Sequence, residues 1–405
     1  MGASRFRRAA TVSLLSTALL AGTAACRGWP PRTTTTTTTR AVTTTSGPGG
    51  TTTTVPGTGG TFGPVQVVAQ NLQVPWSLAF VYADTFFVTE RPGRFRLYDN
   101  GQVRPQPVGQ VAVTGSGEGG LMGIALHPQF PAQRFLYAYY TAPSGNRLVR
   151  FPVGADLSLG AEQRLLPEIP EGVFHDGGVI AFGPDGMLYL GSGDGTTPAA
   201  ASDRNSLNGK ILRVTPEGTV PADNPFPGSY VWSWGNRNPQ GLAWDSDGRL
   251  YASEHGPTIE QAGLCCNDEI NLITKGGYYG WPYRAGNQTT AILTGAPPAT
   301  PIPPVATSGP SATWAPSGMA LINGPGGTTK LLSANLRGSN LMTFTINKAQ
   351  PSVVTNTATE LTGYGRLRAS IFGPDGCHYV TTSNRDTRGM PRANDDQILK
   401  RCPTG

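Results

Sequence analysis

From residue 74 onward the chain is built of short apolar runs, each cut off by glycine, proline or aspartate. The stretch 175–195, "HDGGVIAFGPDGMLYLGSGDG", shows the unit: a loop, a strand, a tight turn, a second strand and another loop. Strands such as "MLYLGSG", "RLYASE" and "CHYVTTS" are short and rich in leucine, tyrosine and valine, which suits a pleated, half-buried surface. No long segment has the 3.6-residue period of an amphipathic helix, so helical solenoids are excluded.

The unit returns six times, starting at Val74, Gly117, His175, Arg237, Ala315 and Arg366. Asp185-Gly186, Asp247-Gly248 and Asp375-Gly376 supply the dipeptide that reverses a hairpin. Strand units of this size, repeating at roughly 45–75 residues, predict an all-β fold, a six-bladed propeller of four-stranded antiparallel blades. His175 stands ten residues before Asp185, Arg237 ten before Asp247 and Arg366 nine before Asp375. These residues therefore occupy equivalent loops, each entering the innermost strand of a blade. The loops leaving the second strands, "GSGDG", "SEHGP", "NLRG" and "SNRD", return to the same face. One histidine and several arginines are thus expected to ring a single mouth of the channel. Such a cluster suits a ligand with several negative charges, because a guanidinium fork matches carboxylates.

Composition changes the picture at the N-terminus. Residues 1–26 carry Arg5, Arg7 and Arg8, then an apolar or small run, then Ala24-Ala25-Cys26. This is the pattern of an export signal with a lipid-attachment cysteine at Cys26. Simple cleavage and secretion is the alternative, because Thr23 departs from the usual leucine. Residues 27–64 are rich in threonine, glycine and proline and read as a disordered tether. The propeller is expected over 65–405. The formal net charge of +6 forms no basic stripe with interleaved aromatics, which argues against nucleic acid. No other run is apolar enough to span a membrane, so contact with the bilayer rests on the lipid anchor alone, at the outer face of the cell membrane. Beyond Cys26 there are four cysteines, an even number that permits disulfides in an exported chain. Cys377 and Cys402 are placed to face each other across the last blade. The adjacent Cys265-Cys266 either forms a vicinal bridge or stays reduced.

Candidate chemistry is sparse. His127 in "HPQF" and His378 in "CHY" read as structural. Gly256-Pro257, followed by Asp268, Glu269 and "GGYYGWP", offers carbonyl and carboxylate oxygens suited to Ca²⁺. No EF-hand, zinc, Walker or GxSxG motif is present.

"HDGGVIAFGPDG", "GNRNPQGLAW", "SEHGP…NDEINLITKGGYYGWP" and "GRLRASIFGPDG" resemble the soluble quinoprotein glucose and aldose sugar dehydrogenases, the glucose/sorbosone dehydrogenase family. The resemblance runs in order through about 65–402 and accounts for all six units. It implies a propeller that holds pyrroloquinoline quinone (PQQ) and Ca²⁺ at the channel mouth. By that resemblance His175 is the general base, and Arg237 with Asn238 lies beside the quinone carbonyls. Arg366, Arg368, Arg337 and Thr313 contact PQQ, and the carbonyls of Gly256 and Pro257 ligate its Ca²⁺. Asp268, Glu269 and Tyr279 ligate a second, structural calcium pair.

Three departures concern the rim. Glu118 stands near the substrate where the glucose enzymes have glutamine. Arg337 replaces a lysine, and the loop after "GSGDG" is shorter than theirs. A Pro-rich insertion is expected between blades four and five. The implied reaction oxidises an aldose at C1 to a lactone, with neutral His175 taking the hydroxyl proton and electrons passing to an external, extracytoplasmic acceptor. The alternative is a non-catalytic cell-envelope propeller lipoprotein that binds a carbohydrate or protein partner.

Overall fold

The computed structural model describes residues 55–56, 61–114, 117–258, 264–324 and 327–404. Cys26 and its lipidation, with the export signal and nearly all of the tether, lie outside the described residues. Six small antiparallel sheets form the blades of a propeller, as the sequence predicts. Blade 1 contains Pro75–Tyr82, Thr85–Glu90 and Arg94–Asp99, with Gln102–Val103 and Gly109–Gln110 sharing its outer position. Blade 2 runs through Leu121–Leu126, Phe135–Ala142, Gly145–Pro152 and Gln163–Arg164. Blade 3 has Ile180–Phe182, Leu188–Ser192, Lys210–Val214 and Val231–Trp234. Blade 4 has Pro239–Trp244, Leu250–Glu254, Glu269–Ile273 and Ala306–Thr307. Blade 5 has Pro316–Gly324, Thr328–Asn335, Asn340–Asn347 and Val354–Glu360, and Val55–Pro56 pairs in parallel with its first strand. Blade 6 has Leu367–Phe372, His378–Thr382 and Ile398–Arg401.

The fourth strand of blade 6 comes from the other end of the chain. Gln66–Ala69 pairs antiparallel with Ile398–Arg401 and closes the ring. Phe62 and Gly63, assigned to the tether in the sequence reading, also belong to this seam. Gly63 N–H donates to Cys402 O at 2.9 Å, and the Phe62 ring stacks on Phe372. Cys377 and Cys402 are joined by a disulfide beside it, and Cys265 and Cys266 form a vicinal bridge.

Burial explains the apolar runs. Leu121–Leu126 and Pro239–Trp244 are buried at every position, whereas the outer Val354–Glu360 is mostly exposed. Inner strands are covered on both faces and therefore read as continuous rather than alternating runs. Six apolar clusters lie between neighbouring blades, and the last joins Leu78, Phe86 and Val88 of blade 1 to Tyr379 and Ile398 of blade 6. No seam of the ring lacks a core.

The Asp-Gly turns differ in type from the expected two-residue reversal. Gly186 and Gly376 have φ of 75° and 74°, but Asp185 and Asp375 do not have positive φ. Gly186 N–H donates to Gly183 O at 3.0 Å and Gly183 N–H to Met187 O at 2.9 Å, the pattern of a longer turn ending in a left-handed glycine. The proline before each of these two aspartates holds the backbone at negative φ. The aspartate then accepts the N–H just ahead of the next strand: Asp185 Oδ1 from Met187 and Asp375 Oδ1 from Cys377, both at 3.1 Å.

The Pro-rich insertion is also placed differently. Residues 285–305 lie inside blade 4, ahead of its outer strand Ala306–Thr307. A two-residue edge strand carries no periodic signal, so the end of that blade was not visible in the sequence.

Candidate active site at the channel mouth

His175 sits in the loop entering blade 3, buried, with a left-handed backbone at φ 66°. Its Nδ1 is 2.7 Å from Asp194 Oδ1, and its Nε2 is 2.8 Å from Arg237 Nη2. A carboxylate only accepts and a guanidinium only donates. The ring is therefore fixed as the Nδ1–H tautomer, with the Nε2 lone pair turned toward Arg237. This is the protonation state of a competent base. Asp194 is itself held by Trp281, whose Nε1–H donates to Oδ2 at 2.8 Å, and Arg237 lies 5.5 Å over the Trp281 ring.

The loop that brings Asp194 in depends on glycine and on a buried lysine. A Cβ at Gly193 would lie 1.8 Å from His175 O, so only glycine permits this approach. A short helix, Pro198–Ser202, follows, and Lys210 Nζ donates to Ala200 O, Ala201 O and Asn208 O at 2.8, 3.0 and 2.6 Å. Burial pulls the Lys210 ammonium down to about 7. The lysine replaces partners the helix end would otherwise lack.

Around this centre the expected arginines gather unequally. Arg366 Nε donates to Asp386 Oδ2 at 2.7 Å. Arg368 reaches Gln240 Oε1 at 3.2 Å and Ser383 Oγ at 3.3 Å, and burial lowers it to about 10. Arg337 is exposed, and its backbone N–H donates to Trp314 O at 3.1 Å. Asn238 Oδ1 accepts Gly177 N–H at 3.0 Å, while its Nδ2 is buried without a hydrogen-bond partner. Glu118 Oε2 accepts His175 N–H at 3.2 Å and Oε1 accepts Arg388 Nη1 at 2.7 Å. Burial alone would raise its carboxyl, yet His255, Arg388 and His175 together hold it at about 2.

The expected calcium residues fall into two groups. Gly256 N–H donates to Asp268 Oδ1 at 2.9 Å, while Asp268 Oδ2 accepts Thr313 Oγ1 and the N–H groups of Trp314 and Ala315. Asp268 thereby clamps the loop entering blade 5 to the Gly256-Pro257 loop. Glu269 belongs to a separate buried pair with Glu254. Asn271 Nδ2 donates to both, at 2.9 and 3.3 Å, and burial raises both carboxyls, with Glu269 adding to the rise at Glu254 and Asp268 to that at Glu269. Tyr279 has its hydroxyl committed within blade 4, donating to Leu272 O and accepting Thr274 N–H.

Sequence reasoning missed Asp194, Trp281, Glu254, His255 and Arg388. Asp194 was within reach, because "GSGDG" was already assigned to the mouth and carries a single carboxylate. His255 faces Glu118, Arg237, Arg368 and His175, is held near 3 by burial, and its Nε2 has no hydrogen-bond partner. His127 and His378 are structural as expected: His127 Nδ1 accepts Gln129 N–H, and His378 lies buried between Ser370 and Arg401.

A six-bladed propeller whose mouth presents an aspartate-oriented histidine among guanidiniums defines the class. The pattern of glucose/sorbosone dehydrogenases matches residues 72–391, and the chain belongs to that family. An aldose sugar dehydrogenase of Escherichia coli is 32% identical over 343 residues, covering 78% of this chain and 89% of the relative. Quinoprotein glucose dehydrogenase B of Acinetobacter calcoaceticus is 31% identical over 258 residues, covering 55% and 52%. The PQQ-bound aldose sugar dehydrogenase of Streptomyces coelicolor is similar in structure, with a TM-score of 0.74 at 37% identity over 86% of this chain and 99% of that one.

Proposed function

We propose that this protein is a PQQ-dependent aldose sugar dehydrogenase that oxidises the C1 hydroxyl of an aldose to a lactone. The observation that carries the reading is the tautomer of His175, set by Asp194 on one side and Arg237 on the other. A second imidazole nitrogen and an amide N–H₂, His255 Nε2 and Asn238 Nδ2, are buried beside it without partners. Buried polar atoms left unpaired cost stability, so a polar ligand at this place fits them. Arg366, Arg368 and Arg237 would hold a tricarboxylate cofactor, with Arg337 and Thr313 at its edge. PQQ supplies, when bound, the two-electron acceptor that no side chain provides.

The chain's own residues do the rest. Arg237 yields the Nε2 lone pair, and His175 takes the C1 hydroxyl proton there. Asp194 stabilises the imidazolium that results, as an orienting carboxylate does in other His–Asp pairs. Arg237 remains beside the reacting centre as a fixed positive charge. Trp281 keeps both partners in place.

Calcium is proposed on two grounds. The Gly256-Pro257 loop directly follows His255, whose carbonyl accepts Arg237 Nη1 at 3.2 Å. Glu254 and Glu269, with the orphaned Oδ1 atoms of Asn236 and Asn271, form an all-oxygen set that suits a hard cation. No helix among the described residues is long and apolar enough to cross a membrane. Export with a lipid anchor at Cys26, and delivery of electrons to an extracytoplasmic acceptor, complete the reading.

The test is reconstitution. Purified protein is titrated with PQQ and Ca²⁺, and the bound quinone is followed spectroscopically as aldoses are added without an acceptor. Reduction within a single turnover is expected. A protein that binds PQQ but leaves it oxidised with every aldose is not a dehydrogenase of this kind.

A further inference from the structure

The base of this site has an unusual main chain. His175 holds φ 66°, a left-handed conformation that side-chain-bearing residues adopt only when their surroundings impose it. Three contacts impose it here. Gly195 N–H donates to His175 O at 3.1 Å, Asp194 fixes the ring, and the His175 N–H donates to Glu118 Oε2 at 3.2 Å. The last contact crosses from blade 3 to the loop entering blade 2.

Both oxygens of Glu118 are engaged within the protein. Its second oxygen accepts Arg388 Nη1 at 2.7 Å, and Arg388 comes from blade 6. The Arg388 guanidinium also lies 5.0 Å over the ring of Phe174, the residue just before His175. Asp386 Oδ1 accepts the N–H groups of Arg388 and Gly389, at 3.0 and 3.1 Å, which fixes the loop Arg388 projects from. Asp386 Oδ2 binds Arg366. Loops of three different blades are thus tied to one another immediately around the base.

We propose that Arg388 and Glu118 form a strap across the mouth that holds the His175 main chain in place, making both of them positioning residues for the base. The inference rests on the reading of His175 as the base. It assigns Glu118 to the protein's own backbone rather than to the sugar. Its anionic state suits the task, because a carboxylate accepts from an N–H and from a guanidinium at once and gives charge-assisted bonds to both. Half of the Arg388 side chain is exposed, so the strap is also the part of the site that solvent and substrate meet first.

The strap and a direct sugar contact predict different results. Glu118→Ala, Arg388→Ala and the milder Arg388→Lys are compared with wild type on a panel of aldoses differing at C2, C4 and C6. A positioning role lowers kcat by one common factor, about 10-fold or more for Glu118→Ala, with KM nearly unchanged on every sugar. Glu118→Gln restores most of the rate, because its amide oxygen still accepts the His175 N–H. Hydrogen exchange at the His175 amide, measured on the whole chain without cofactor, is faster in Glu118→Ala and Arg388→Ala than in wild type or Glu118→Gln. That measurement needs no activity, so it tests the strap even where the enzyme reading itself has failed. Unchanged exchange at the His175 amide in Glu118→Ala overturns the proposal. So do losses that differ from sugar to sugar and appear in KM.

Discussion

The two ends of each blade solve opposite problems. At the turn end the chain reverses within a few residues, and its bonds are local. Asp185 and Asp375 accept the N–H two residues on, and Tyr189 and Tyr379, four residues on, donate to the same carboxylates at 2.9 Å. At the mouth the important bonds are long in sequence. His175 meets Arg237 across 62 residues, Asp194 meets Trp281 across 87, and Glu118 meets Arg388 across 270. Local bonds give each blade its own hairpins, and distant ones join blades that have already formed. A site built from distant bonds can change its chemistry without disturbing the hairpins, which is how one architecture carries many functions.

Four measurements press on this division. The largest effect is expected at the mouth: His175→Gln lowers the single-turnover rate of cofactor reduction by about 10²–10⁴-fold, with the melting temperature little changed. Equal rates in mutant and wild type would return His175 to a turn role.

Arg366→Ala comes next and is expected to weaken PQQ binding by about 2–4 kcal/mol, as for truncating one member of a desolvated charge pair. Part of that loss arises because Asp386, left with only the longer 4.0 Å pairing to Arg368, is less well neutralised. Titration monitored by cofactor fluorescence reads it directly, and unchanged affinity removes this arginine from the cofactor set.

Glu118 offers a test in pH. Its carboxyl sits at about 2, below the ordinary 4.5. A depressed carboxylate stabilises the fold above the unfolded value, and that contribution is lost as pH falls from about 4.5 toward 2. Wild type is therefore expected to be more stable than Glu118→Gln near neutrality, where the pair with Arg388 supplies the difference. The two unfolding curves should converge at the acid end. A constant gap across that range would mean the carboxylate is not held as described.

The smallest effect belongs to the turn end. Tyr189→Phe removes one hydrogen bond to Asp185 and is expected to cost about 0.5–1.5 kcal/mol of stability. Turnover per folded molecule should stay the same. A change in turnover would show that the two ends are coupled after all.

The same division explains what could be read in the sequence. The turn end was legible because its determinants are neighbours: a proline, an aspartate and a glycine, followed by a short apolar strand, identify a hairpin wherever they occur. The strand–turn–strand unit recurs six times, three of them with Asp-Gly at the turn, and the phase of those three placed His175, Arg237 and Arg366 at one end. The partners were harder. Asp194 needed only its own loop to be taken seriously beside the one mouth histidine. Arg388 could not be paired with Glu118 by any spacing rule, because the ring alone brings them together. Glu254 looked like an ordinary strand end, and only burial beside Glu269 gives it a raised carboxyl. The strand Gln66–Ala69 had no turn of its own to announce it, since its partner lies at the far end of the chain.

That closing strand has a consequence for synthesis. A chain emerging N-terminus first presents residues 66–69 long before 398–401 exist, so the ring stays open until the last segment arrives. Blades 1 to 5 can form their hairpins in order, but the seam between blade 6 and blade 1 waits for the whole polypeptide. Pairings this remote are slow, because loop closure must be paid before any contact rewards it. Until then Gln66–Ala69 has no partner strand and is open to pairing with the wrong chain. A polypeptide that cannot complete its ring early keeps its last seam open for longer, and during that time the chain remains threadable.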